Sequence, residues 1–128
     1  MTHRVLAVIP TYNEREHIAQ LLQHLCVVLP EVSILVVDDG SPDGTGDIVV
    51  ALGRHNPRIR LIERQTKQGL GSAYRTGFHA ALTGPYQYIL QLDGDFSHDP
   101  GDLPRLLEAA EAGADVVIGS RYVRGASS

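Results

Sequence analysis

The chain has 128 residues, 43% of them hydrophobic and 20% charged, with a formal net charge of −4. That length supports one domain around one core, and the hydrophobic and charged fractions are those of an ordinary globular protein. With no basic block there is no case for a nucleic-acid partner, and no apolar run approaches the ~20 residues of a membrane-spanning helix.

In chain order, residues 1–4 read as a lead into a strand and not as a targeting segment. Residues 5–9 are continuously apolar, as expected of a strand buried on both faces. Residues 14–29 carry Ile18, Leu21, Leu22, Leu25 and Val28 at helical spacing, and Pro30 ends the helix. Cys26, the single cysteine, falls in this stretch and reads as core; without a second cysteine no internal disulfide forms, which fits a reducing compartment. Residues 34–37 are a second buried strand. Residues 45–54 read as a helix with Thr45 as a candidate N-cap and Gly53 near its end. Residues 58–63 alternate, so they form a third strand nearer an edge. A helix over 71–82, a strand over 86–92, a helix over 102–112 and a strand over 115–119 complete the pattern.

Strand–helix alternation of this kind predicts an α/β fold, a mostly parallel sheet with helices on both faces. In such sheets ligands sit beyond the carboxyl ends of the strands, at a switch in strand order. Those ends are rich in polar groups. The first strand runs into Pro10, Thr11, Tyr12, Asn13 and Glu14, and the second into Asp38, Asp39, Gly40, Ser41, Pro42, Asp43 and Gly44. The third leads to Lys67, Gly69 and Gly71, the fourth to Asp93, Gly94 and Asp95, and the fifth to Ser120, Arg121 and Tyr122. Asp93 and Asp95 are the most specific of these. Two carboxylates two residues apart in extended chain point the same way, and at a strand end they suit Mg²⁺ or Mn²⁺ carrying a diphosphate. A calcium loop does not fit, because His98 stands where glycine is needed and Pro104 where glutamate is needed. The spacing of Gly69, Gly71 and Gly77 misses the dinucleotide fingerprint, and there is no Gly-Lys-Ser/Thr phosphate loop.

The segments 8–14, 36–45, 67–74 and 93–100, extended by 119–123, resemble family 2 glycosyltransferases of the GT-A fold. Within that family they are most similar to dolichol-phosphate (polyprenol-phosphate) mannosyltransferases. The motifs stand in the family's order across almost the whole chain. The resemblance implies a Rossmann-like sheet of order 3-2-1-4 plus strand five, and an inverting, metal-dependent transfer of a hexose, foremost mannose from GDP-mannose, to a polyprenyl or dolichyl phosphate. The alternatives are a non-catalytic nucleotide-sugar-binding chain, another sugar, or a saccharide acceptor. Residues 1–128 are expected to be the donor part of a catalytic domain that is incomplete at its C-terminus, since relatives continue further. In the family a later antiparallel strand lies beside strand four. Its absence predicts an exposed edge, self-association, and no sugar transfer by this chain alone. The full enzyme is expected in the cytoplasm, peripheral at the membrane face.

The resemblance also implies residue roles. Pro10, Thr11, Tyr12, Glu14, Asp39, Lys67, Gly71, Asp93 and Gly94 form the nucleotide-binding set. Tyr12 would stack, and Glu14 and Asp39 would accept hydrogen bonds from base or ribose. Asp93 and Asp95 would hold the metal, and with Arg121, a charged fork for phosphate, they are the catalytic candidates. Competing structural readings are a packing Tyr12, a helix-starting Glu14, a solvent-exposed Lys67, an ion-paired Arg121 and an unliganded His98. Asp38 reads as a buttress of its turn. Gly94 replaces the alanine frequent in relatives, which loosens the loop without removing a ligand.

Overall fold

The computed structural model describes residues 5–65, 70–82, 84, 86, 88–92 and 117–118. Four parallel strands, β1 (Val5–Thr11), β2 (Ser33–Asp38), β3 (Ile59–Glu63) and β4 (Tyr88–Gln91), lie in the order 3-2-1-4. A two-residue segment, Val117–Ile118, pairs in parallel with Leu90 and Gln91 beyond β4. The edge expected to be bare beside β4 therefore carries a partner at those two residues. The helix expected over 102–112 lies outside the described residues.

The helices α1 (Ile18–Val28), α2 (Thr45–His55) and α3 (Leu70–Leu82) connect the strands. Alternation along β1 and β2 divides the core in two. Val5, Ala7, Ile9, Ile34 and Val36 face Ile18, Leu21, Leu22 and Leu25 of α1 and Val49 of α2. Leu6, Val8, Leu35 and Val37 face Ala73, Tyr74 and Phe78 of α3. Period-2 strands thus meet period-3.6 helices on both faces, and the continuous apolar runs are those of strands with no solvent face. Each fully buried Leu or Ile contributes about 2 kcal/mol through apolar area removed from water.

The switch in strand order falls at β1. The chain leaves β1 through α1 to β2 on one side, and returns through α3 to β4 on the other. Pro10 helps to open that side. The Val8 carbonyl accepts from Leu92 N–H at 3.1 Å. The next donor on that side of β1 belongs to position 10, and proline has none, so the β1–β4 ladder stops there. Toward β2 the register continues, with Thr11 level with Asp38 and Asp38 level with Glu63. Three strand ends thus deliver their loops at one level.

Two helix starts differ from the sequence pattern. α1 begins at Ile18 and not at 14, because the Glu14 carbonyl accepts from His17 and Ile18 N–H in a turn that precedes the helix. The N-cap of α2 is Gly44 (φ +93°), and Thr45 is its first helical residue. Glycine takes that left-handed backbone without steric cost. Asp47 in the first turn and Arg54 and His55 in the last complement the α2 dipole.

Candidate functional site

The loops after β1 and β2 are clasped together at the strand ends. Asp38 is fully buried, and its Oδ1 accepts from Thr11 Oγ1 and from Ser41 Oγ, both at 2.6 Å. Its Oδ2 accepts from Ser41 N–H at 2.9 Å. These hydrogen bonds offset the carboxyl group's removal from water, and Asp38 is the buttress that its position in the turn predicts. The Ser41 hydroxyl in turn accepts from Asn13 N–H at 2.8 Å, and Asn13 holds a left-handed backbone at φ +55°. Asparagine is among the few non-glycine residues that tolerate this region.

A second set of bonds continues the clasp. Glu14 N–H donates to Thr45 Oγ1 at 3.0 Å, and Thr45 Oγ1 donates to Asp43 Oδ1 at 2.5 Å. Asp43 also accepts from Thr45 N–H at 3.0 Å and from Arg15 N–H at 3.1 Å, while Arg15 Nη1 donates to the Asp43 carbonyl at 3.2 Å. Partial burial pushes the Asp43 carboxyl up. The Thr45 hydroxyl and N–H, the Arg15 N–H and the Arg15 charge outweigh it and hold Asp43 below the usual carboxylate range.

Asp39 differs from its neighbour. Its side chain is 6% exposed and its Oδ1 lies 2.5 Å from Nε of Arg64, whose side chain is 9% exposed. Arg64 follows β3 directly, and its N–H donates to the Asp38 carbonyl at 2.7 Å. Its Nη1 donates to Ser72 Oγ at 2.8 Å and to Thr76 Oγ1 at 3.3 Å, hydroxyls one turn apart on α3. The Asp39 N–H donates to the Thr11 carbonyl at 3.1 Å, fixing the backbone beside the end of β1.

Of the sequence-derived candidates, the fold brings Pro10, Thr11, Tyr12, Glu14 and Asp39 to one sheet edge. Pro10 and Thr11 are buried, with the Thr11 hydroxyl donated to Asp38. Tyr12 is 36% exposed just beyond the end of β1. Glu14 is half-buried, with its carboxylate 3.8 Å from His17 Nδ1. Gly71 lies in the first turn of α3, close to Arg75. Lys67, Asp93, Gly94, Asp95 and Arg121 lie outside the described residues, as does His98. Among the described residues no three His, Cys, Asp or Glu side chains form a metal-binding group, so Asp93 and Asp95, which begin directly after Leu92, keep that role as candidates only.

Arg64, Ser72 and Thr76 were not singled out by sequence. A signal for Arg64 existed. Two adjacent acids at the end of a buried strand call for a cation, and Arg64 is the basic residue at the end of the neighbouring strand. The Thr45–Asp43–Arg15 set carried no such signal, because its bonds depend on how two loops meet.

A family model described as Glycosyl transferase family 2 matches residues 6–128. A polyprenol monophosphomannose synthase from Mycolicibacterium smegmatis is 49% identical over 125 residues, 97% of this chain and 47% of that protein. An undecaprenyl-phosphate mannosyltransferase from Micrococcus luteus is 49% identical over 122 residues, 95% of this chain and 50% of that protein. The chain thus spans about half the length of these relatives. A solved mannosyltransferase from Pyrobaculum calidifontis, in complex with GDP-Man and Mn²⁺, superposes with a TM-score of 0.68 at 24% identity, covering 84% of this chain and 32% of that one. At that identity the likeness speaks for the GT-A-type fold.

Proposed function

The chain belongs to glycosyl transferase family 2, and from that premise we propose that it is the donor-binding part of an inverting mannosyltransferase that moves mannose from GDP-mannose to a polyprenyl phosphate. The observation that carries this reading is the 49% identity, over 97% and 95% of the chain, to two relatives named for polyprenyl-phosphate mannosyl chemistry. The site supports it. Tyr12 and the Asp39 carboxylate, which Arg64 holds, lie on the clasped loops at the carboxyl edge of β1 and β2. These are the groups that stack on a base and accept hydrogen bonds from base N–H or ribose hydroxyls.

Asp93 and Asp95 would hold Mg²⁺ or Mn²⁺, whose charge offsets that of the departing diphosphate. Arg121 would meet phosphate oxygens as a charged fork, and Lys67 would belong to the nucleotide-binding set. An acceptor phosphate monoester, with its second pKa at ~6, is largely ionised near neutral pH and needs no strong general base. Attack from the face opposite the diphosphate inverts the anomeric carbon. Among the described residues no helix is long and apolar enough to cross a membrane, and the reading places the enzyme peripherally at the cytoplasmic membrane face.

Competition binding tests the donor. Labelled GDP-mannose retained by the chain with Mn²⁺ should be displaced by GDP and far less by UDP. Displacement by UDP alone would overturn the assignment of donor. For the acceptor, solvent extraction after incubation of the protein that carries this chain should find mannose label in polyprenyl phosphate; label in a saccharide instead would overturn that half.

A further inference from the structure

We propose that Arg64 is a positioning residue of the nucleotide pocket: it fixes the Asp39 carboxylate in the orientation with which that carboxylate meets the base or ribose of the donor. The proposal rests on the donor reading above and adds to it a residue and a way of acting. Asp39 sits on a loop, and a loop carboxylate by itself rotates among several orientations. Here its Oδ1 lies 2.5 Å from Arg64 Nε, and the guanidinium is itself held from the far side by Ser72 and Thr76.

The hydroxyls are rigidly carried. They stand on α3, whose Gly77 lies so close to Val8 of β1 that a Cβ there would come within 2.2 Å of Val8 Cγ1. The connection runs from the central strand through α3 and the guanidinium to Asp39. A planar fork that engages Oδ1 and both hydroxyls at once orients the carboxylate as well as neutralising it. The contrast with Asp38 supports this. Asp38 is fixed by Thr11 and Ser41 from the loops themselves, and no arginine bond to its carboxylate appears among the described residues. The guanidinium is directed to the neighbouring carboxylate, the one that the donor reading assigns to the nucleotide.

Lysine in place of Arg64 keeps a positive charge near Asp39, but a point charge on a flexible stem cannot hold three acceptors in one plane. Arg64→Lys should therefore keep a thermal midpoint close to that of the parent while losing about tenfold in GDP affinity, the size of one charge-assisted hydrogen bond. Its preference for GDP over UDP should narrow as well. The loss should vanish in an Asp39→Asn background, as a double-mutant cycle reads it. Ser72→Ala combined with Thr76→Ala, which frees the guanidinium but leaves its charge, should produce a smaller loss of the same kind, and serves as the test if Arg64→Lys does not fold. Arg64→Lys binding GDP with unchanged affinity and preference overturns the proposal, and so does an equal loss in the Asp39→Asn background. A parent chain that binds no nucleoside diphosphate overturns the donor reading, and this proposal with it.

Discussion

At Asp38 the carboxylate accepts from Thr11 and from the Ser41 hydroxyl and N–H, while at Asp39 it faces Arg64. Substitution should separate these roles. Asp38→Ala leaves buried donors without an acceptor and should lower stability by about 3 kcal/mol, read from urea midpoints. Asp39→Ala should weaken GDP binding by about 1–3 kcal/mol with or without metal, the size of a hydrogen bond to a charged acceptor. Asp95→Ala should remove the metal-dependent part instead. If both Asp39→Ala and Asp95→Ala lost only the metal-dependent part, Asp39 would not belong to the base pocket. Asp43 gives a pH test. Its folded pKa lies below its ordinary value of 3.8. Ionised Asp43 therefore stabilises the fold above that value, and the contribution fades as pH falls through the folded pKa. The stability gap between the parent and Asp43→Asn should shrink as pH falls below 3.8 and through the lower folded pKa; a constant gap would show that the clasp does not depend on the charge.

The packing of α3 on β1 depends on Gly77. A Cβ there would overlap Val8 in the central strand, so Gly77→Ala should cost about 1–3 kcal/mol as an overpacked core. Val8→Ala added to it should recover part of that loss, and simple additivity in denaturant melts would contradict the close approach. Gly40 makes a second such point. It holds φ +73°, and a Cβ would come within 2.8 Å of the Gln65 carbonyl oxygen, so alanine there is strained in both backbone and space. Neither requirement is visible in the sequence, where Gly77 stands out only in a glycine spacing that misses the dinucleotide fingerprint. The strands were visible, because β1 and β2 are apolar on both faces and β3 alternates beside them. The first turn of α1 was not. Ile18 through Val28 hold the periodic pattern, but residues 14–17 form a turn whose Glu14 is tied to Thr45, across thirty-one positions of sequence. Local propensity cannot report a partner that distant.

On the scale of the molecule, the order 3-2-1-4 places three strand ends at one level and opens the sheet between β1 and β4. That order followed from family resemblance; strand–helix alternation by itself gives a parallel sheet without its sequence of strands. The candidates Tyr12 and Asp39 were legible because they stand just beyond strand ends. Arg64 stands at a strand end too, but its importance lies in what it touches on α3, and no motif reports that. Under the proposed donor reading, the loop-held Asp39 and the candidate metal pair Asp93 and Asp95 would act together on one ligand. Metal and nucleotide then strengthen each other by the same factor, since coupling between two ligands is reciprocal. Calorimetric titration of the chain with GDP, once with Mn²⁺ and once with a chelator, reads this directly. The expected result is GDP binding in both, tighter with Mn²⁺, and Mn²⁺ binding tightened by GDP in equal measure; equal GDP affinity in the two titrations, or no binding in either, would contradict a metal-assisted donor site in this chain.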